Sequence, residues 1–192
     1  MQIGDFILGF DPIDLLILGF FGLFFVLGFA QGTIRRLVGI GSILFSFLFA
    51  SNLSTTFAGF LGSNWTQFSP AYGQMIGFLA IFLASCLVFA ILAQAFVKPQ
   101  PLFPKARFLD EILGGILGVI EAGLILMCFV VILDTFFRAT GIAQDPDELP
   151  YLRSIYHALN GTAIVGFFEQ SIIPAFMMVF AYFVPASIAG IY

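Results

Sequence analysis

Apolar residues run along this chain in long unbroken stretches, and its polar residues gather in short clusters between them. Four stretches, residues 13–30, 37–60, 75–97 and 112–133, approach or exceed the ~20 apolar positions that a helix rising about 1.5 Å per residue needs to cross a bilayer. They predict four transmembrane helices. The breaks between them are clear: Gln31-Gly32-Thr33-Ile34-Arg35-Arg36 is a tight polar turn, residues 63–73 form an uncharged Asn/Ser/Thr/Pro loop, and residues 98–107 carry Pro99, Pro101 and Pro104. The first two helices are therefore expected to make a hairpin. The second stretch turns polar from Ser51-Asn52-Leu53-Ser54-Thr55-Thr56 onward, so it either ends early or buries that end against protein, where hydroxyls can bond carbonyls.

Beyond Asp134 the pattern changes, with Asp145-Pro146-Asp147-Glu148-Leu149-Pro150 reading as a turn and helix start. Leu152, Ile155, Tyr156, Leu159, Ala163 and Phe167 then recur at helical spacing, with Arg153, His157 and Asn160 off that stripe. This describes an amphipathic helix lying in the membrane interface. The last apolar run, residues 172–191, is long enough to span, but Pro174 and Pro185 divide it. It reads as a fifth membrane segment or as a re-entrant or surface-lying hairpin, with insertion slightly favoured. The expected fold class is an all-α integral membrane protein: four transmembrane helices over residues 1–135, an extracytoplasmic turn and amphipathic interfacial helix over 136–171, and a Pro-interrupted hydrophobic segment over 172–192.

Composition sharpens this picture by exclusion. Of 192 residues, 60% are hydrophobic and only 9% charged, too few charges to solvate a water-facing shell, so a soluble enzyme is excluded. The net charge of -4 excludes nucleic acid as a partner, because phosphate neutralisation needs clustered Lys and Arg. The lipid bilayer is the partner that composition itself names. The N-terminus lacks a basic stretch before its first apolar run, which predicts that this run is retained rather than cleaved. Cys86 and Cys128 sit inside apolar runs without zinc-type spacing, and read as small buried hydrophobes. His157 is the sole histidine, so no metal set of imidazoles exists. A single His could ligate a haem or pigment among the 27 Phe, but Phe equally fills lipid-facing surface, and no cofactor is expected. Gly-rich phosphate loops, a Gly-x-Ser-x-Gly elbow and a Ser/His/Asp set are all missing, which argues against an enzyme.

The charges that do occur are informative because they are few. Arg35, Arg36, Lys98, Lys105 and Arg107 fall on one side of the membrane and Arg138 and Arg153 on the other, so the first group should face the cytoplasm and the N-terminus the outside. These five read as topology determinants, each contributing about 1 kcal/mol against anionic headgroups. Glu121 lies well inside the fourth helix, where an ionised carboxylate costs at least about 2.5 kcal/mol unless paired, neutralised or hydrated. It is either a packing residue satisfied by another helix or a group that moves protons or substrate. Asp14 is placed to stabilise the start of its own helix, and Asp110 and Glu111 the start of the fourth. Asp134 and Arg138, four apart, form a structural ion pair on one helix face. Gly28-x-x-x-Gly32 and Gly114-x-x-x-Gly118, with Gly115 and Gly123 beside them, predict close helix crossings.

Three short motifs carry a resemblance: Pro12-Ile13-Asp14 opening the first helix, Gly28-Phe29-Ala30-Gln31-Gly32-Thr33-Ile34-Arg35-Arg36 at the hairpin, and Leu109-Asp110-Glu111-Ile112-Leu113-Gly114-Gly115-Ile116-Leu117-Gly118 entering the fourth helix. Over residues 11–135, with an echo at Leu152-Arg153-Ser154, the chain resembles the colicin V production (CvpA-like) family of bacterial inner-membrane proteins. The resemblance implies a multi-pass inner-membrane protein linked to toxin export and envelope maintenance, a scaffold or accessory subunit that associates with itself or with another membrane protein. The residues alone leave two other classes open. One is a small transporter or channel component using Glu121, to which the broken final segment also points. The weaker is a pigment- or quinone-contacting subunit of an energy-converting complex.

Overall fold

A computed structural model of the chain describes residues 11–64, 70–96, 102–103, 106–138, 150–180, 182–185, 188 and 190–191. Every regular element among them is helical: α1 (Pro12–Gln31), α2 (Thr33–Asn64), α3 (Pro70–Phe96), α4 (Arg107–Phe137), α5 (Pro150–Asn160), α6 (Ala163–Phe167), a π-helical turn (Phe168–Ile172) and α7 (Ile173–Phe180). Five helical stretches are long and apolar enough to cross a membrane: Pro12–Gln31, Thr33–Asn64, Tyr72–Ala93, Arg107–Phe137 and Ala163–Phe180. The all-α membrane class read from the sequence is the observed one, and the fifth segment is helical.

Local chemistry explains the boundaries. Pro12 starts α1, where its missing N–H costs nothing, and the helix ends at Gly32, whose φ of 79° lies in the left-handed region that glycine enters freely. The Gly32 amide closes the last turn on the Gly28 carbonyl at 2.9 Å. Only this residue separates α1 from α2, so the turn is present, but the expected hairpin is not a packed one. The two helices then part: α1 packs chiefly on α4, and α2 on α3 and α4.

The polar end of α2 does not stop early. Ser51 Oγ donates to the Leu48 carbonyl at 2.9 Å and Ser54 Oγ to that of Ser51. Asn52 Nδ2 donates to the carbonyls of Leu48 and Phe183, both at 2.8 Å, which ties α2 to the chain beyond α7. Side-chain bonding to carbonyls thus lets α2 run 32 residues, the second of the two readings above.

The C-terminal region differs from expectation in register. The stripe from residue 152 to 167 is not one helix: α5 ends at Asn160, and Thr162 caps a new helix by accepting the Val165 amide at 3.3 Å. The membrane-length stretch therefore begins at Ala163, not at residue 172. Pro174 does not break it, because the turn before the proline widens to π geometry and the Ile173 amide reaches back to the Phe168 carbonyl. Such local widening accommodates a group that ordinary helical spacing would clash with or leave unbonded.

α4 is the central helix, its second half buried almost continuously through Leu126, Met127, Cys128, Val130, Val131, Ile132 and Leu133. Around it, Phe47 of α2 is fully buried and meets Phe78 and Phe176 at ring-centroid distances of 5.7 and 5.5 Å. Leu16, Val26, Leu87, Ile91 and Met178 remain exposed, the outward apolar surface that lipid covers.

Candidate functional site

Three backbone contacts set the geometry of the basic end of the bundle, where α1, α2 and α4 meet. A methyl group built on Gly28 would collide with the Gly114 carbonyl, one on Gly114 would lie 2.9 Å from the Gly32 carbonyl carbon, and one on Gly118 2.9 Å from that of Phe24. α1 and α4 therefore touch backbone to backbone, an approach that small residues at the crossing allow. Gly115 accommodates the Phe25 ring and Gly32 the Asp110 carboxylate, 2.8 and 2.7 Å from the positions their β-carbons would take. Gly123 is not a crossing point, since nothing comes within 3.6 Å of such a methyl.

Asp110 fastens this end further. It is buried; its main-chain carbonyl accepts Thr33 Oγ1 at 3.0 Å, and its carboxylate accepts the Leu102 amide at 3.1 Å. The residue expected to serve the start of its own helix thus also locks α4 to the α1–α2 turn. Asp14 departs similarly. Its carboxylate accepts the amides of Ala163 at 3.3 Å and Ile164 at 3.1 Å, so it satisfies the first turn of α6.

With the helices held this closely, α2 points Arg36 inward. Its side chain is 6% exposed, and its Nη1 donates to Glu121 Oε2, itself 13% exposed, across α2 and α4. Gly39, one turn beyond Arg36, makes the space, since a β-carbon there would strike the Glu121 carboxylate. The Phe24 ring lies 5.4 Å from the Arg36 guanidinium carbon, adding a cation–π contact. Arg36 is therefore buried between the helices and not displayed on the membrane-facing surface. The reason is energetic: an ionised Glu at this depth needs a charge partner, and the long arginine side chain reaches it from the first turn of α2. Arg35, its neighbour, does remain exposed.

A cavity of about 680 Å³ adjoins the pair, bounded by Gln31, Arg35, Arg36, Val38, Gly39, Ser42 and Ile43 from the α1 end and α2, by Cys86, Ala90 and Ala93 of α3, and by Glu121. Arg36 Nε is buried without a protein partner. Arg107 is exposed and meets Glu111 at 3.1 Å. Lys98 and Lys105 lie outside the described residues, as do residues 145–149.

At the opposite end, Asp134 and Arg138 approach to 3.8 Å as their spacing predicted, with Asp134 fully buried. Tyr156 of α5 stacks on Phe137 at 4.5 Å, and Arg153 sits 5.5 Å from the Phe137 ring centre. Burial, and then the negative charge of Asp134, push the Tyr156 phenol above its ordinary value. Glu169 of the π turn keeps Oε1 buried without a partner. No trio of His, Cys, Asp or Glu suited to a metal occurs among the described residues.

Sequence reasoning singled out Glu121 but not its partner, nor Gly39 or Thr33. No signal in the sequence pairs Arg36 with Glu121, because Arg36 shares its polar turn with Arg35. Taken together, the apolar spans, the glycine crossing and the intramembrane ion pair define a multi-pass helical membrane protein with a tightly fastened core. The family model for the Colicin V production protein matches residues 13–170, and the chain belongs to that family. Comparison with curated proteins and with solved structures found no match. The matched region takes in α5 and α6 and ends within the π turn, leaving α7 outside it.

Proposed function

We propose that this chain is a non-enzymatic scaffold or accessory subunit of the colicin V production type, serving toxin export and envelope maintenance in the bacterial inner membrane, with its N-terminus outside. The observation that carries this reading is the Arg36–Glu121 pair: the ionisable group deepest in α4 is spent on holding two helices together. A backbone-to-backbone crossing of α1 and α4 reinforces it. Such a core suits a rigid platform better than a device that must open and close.

Native mass spectrometry of the chain released from lipid nanodiscs tests the proposal, because it reports stoichiometry and co-purifying subunits together. A second polypeptide at fixed ratio is the expected result. A homo-oligomer without partners, carrying ion flux that Glu121→Gln abolishes, would overturn it. One observation favours that second reading, a transporter or channel component: the cavity reaches Glu121 from one end of the bundle. Flux in liposomes that is absent, or indifferent to Glu121→Gln, removes its support.

A further inference from the structure

The cavity beside the ion pair has a chemistry that the scaffold role leaves unused. One part of its wall is polar and cationic: Arg35, Arg36 and Gln31, with Ser42 deeper in. Glu121 offsets one of the two charges, so the ionised wall keeps a net single positive charge. Arg36 is 5% exposed, gives Nη1 to Glu121 and holds Nε–H with no acceptor. An unbonded buried donor costs about 1–3 kcal/mol, and the Arg36 side chain carrying it borders the cavity. The remaining wall is apolar, formed by Val38, Ile43, Ala90 and Ala93. Leu87 and Ile91 of α3, on either side of Ala90 in sequence, are exposed, so the cavity lies next to surface that faces acyl chains.

We propose that this cavity binds one anionic phospholipid, its phosphate held by Arg35 and the Arg36 guanidinium and an acyl chain lying along Val38, Ile43 and Ala90. The volume falls within the range of about 300–1,000 Å³ usual for ligand sites, and basic pockets between transmembrane helices are suited to anionic headgroups. A soluble anion would leave the apolar wall uncovered. A zwitterionic headgroup would bring a second cation beside Arg35.

The chain carries its own probe. Cys86 lines the cavity and is half-buried, while Cys128 is fully buried and serves as the unreactive reference. The full chain is placed in nanodiscs of phosphatidylcholine with or without phosphatidylglycerol, and alkylation of Cys86 by N-ethylmaleimide is followed by peptide mass. Phosphatidylglycerol is expected to slow alkylation by about fivefold, the factor matching one basic headgroup contact, and Arg35→Gln to erase the difference. Native mass spectrometry adds an independent reading. Ala93→Phe, which fills the apolar wall, is expected to abolish retention of phosphatidylglycerol with an unchanged melting temperature. Equal Cys86 rates in both lipid mixtures overturn the proposal. Protection by inorganic phosphate alone, matching that by phosphatidylglycerol, also overturns it and assigns the cavity to a soluble anion.

Discussion

Arg36 sits in the protein interior because Glu121 neutralises it there, and neither residue is tolerable alone. Removing one partner of a buried pair strands the other charge, which costs about 3–5 kcal/mol, whereas replacing both with apolar groups of similar size is often neutral or stabilising. Glu121→Gln should therefore lower the denaturation midpoint in detergent substantially, and the double change Arg36→Met with Glu121→Leu should recover most of the loss. Equal stability of the single variant and the natural chain would show that the pair contributes nothing. The depth of Glu121 was legible because membrane insertion makes any isolated charge conspicuous. Its partner was not, since Arg36 falls in a polar turn beside Arg35 and the sequence gives both the same surroundings. Only the third dimension separates them: α2 begins at Thr33, and one turn of helix rotates Arg36 inward while leaving Arg35 exposed. The second role of Asp14 was hidden for a related reason. A carboxylate near a helix start suits its own helix dipole, and nothing local reveals that Ala163 and Ile164 offer it their amides.

At the scale of elements, the glycines of the two facing motifs and Gly115 beside them sit at close approaches, and Gly123 does not. Gly118→Leu should force α1 and α4 apart, because the substituent would overlap the Phe24 carbonyl. A fall in melting temperature is the expected outcome, and an unchanged value would remove the crossing from the account. Gly123→Ala is the internal contrast. Its β-carbon meets only ordinary van der Waals neighbours, and alanine favours the helix by about 0.8–1.0 kcal/mol, so stability should hold or rise. Asp14→Ala would leave two part-buried amides of α6 without their acceptor, each lost hydrogen bond costing about 0.5–1.5 kcal/mol. Faster hydrogen exchange at residues 163–167, with the α1–α4 contact intact, is the expected signature. The seam between α5 and α6 escaped the sequence reading because the apolar stripe continues across it. Gly161 and Thr162 were the punctuation, a turn residue followed by a capping one.

The α5 helix also carries the molecule's clearest pH dependence outside the spans. Tyr156 is held protonated by burial and by the Asp134 charge. A phenol whose pKa is raised in the fold keeps its proton where the unfolded chain has lost it, so its contribution is intact below about pH 10 and fades as the pH climbs past that value. Hydrogen exchange over residues 152–159 should quicken above that pH, and Tyr156→Phe should flatten the dependence. A step that persists in the phenylalanine variant would assign the titration elsewhere.

For the whole molecule, the helical class and the first four spans were legible because a bilayer leaves a spanning chain few alternatives: every backbone group must be satisfied internally, and apolar length does the rest. The fifth segment was harder, since Pro174 reads as a break, and only the π turn before it shows how the helix passes through. Five crossings would put the two ends of the chain on opposite faces of the membrane, which makes topology the decisive whole-molecule test. The ion pair alters the charge argument behind it. Arg36, neutralised by Glu121, contributes little to orientation, so the cytoplasmic bias rests on Arg35, Lys98, Lys105 and Arg107 against Arg138 and Arg153. The positive-inside rule then predicts Gly32 and Leu102 inside, and Asn64 and Arg138 outside. A fluorescent reporter fused after Tyr192 should therefore glow, and one inserted after Asn64 should be dark while a phosphatase at the same point is active. A dark C-terminal fusion beside a dark insertion at Asn64 would reduce the crossings to four and lay the Ala163–Phe180 helix on the outer face. In that case Asp14 would anchor a surface-lying helix rather than a membrane span.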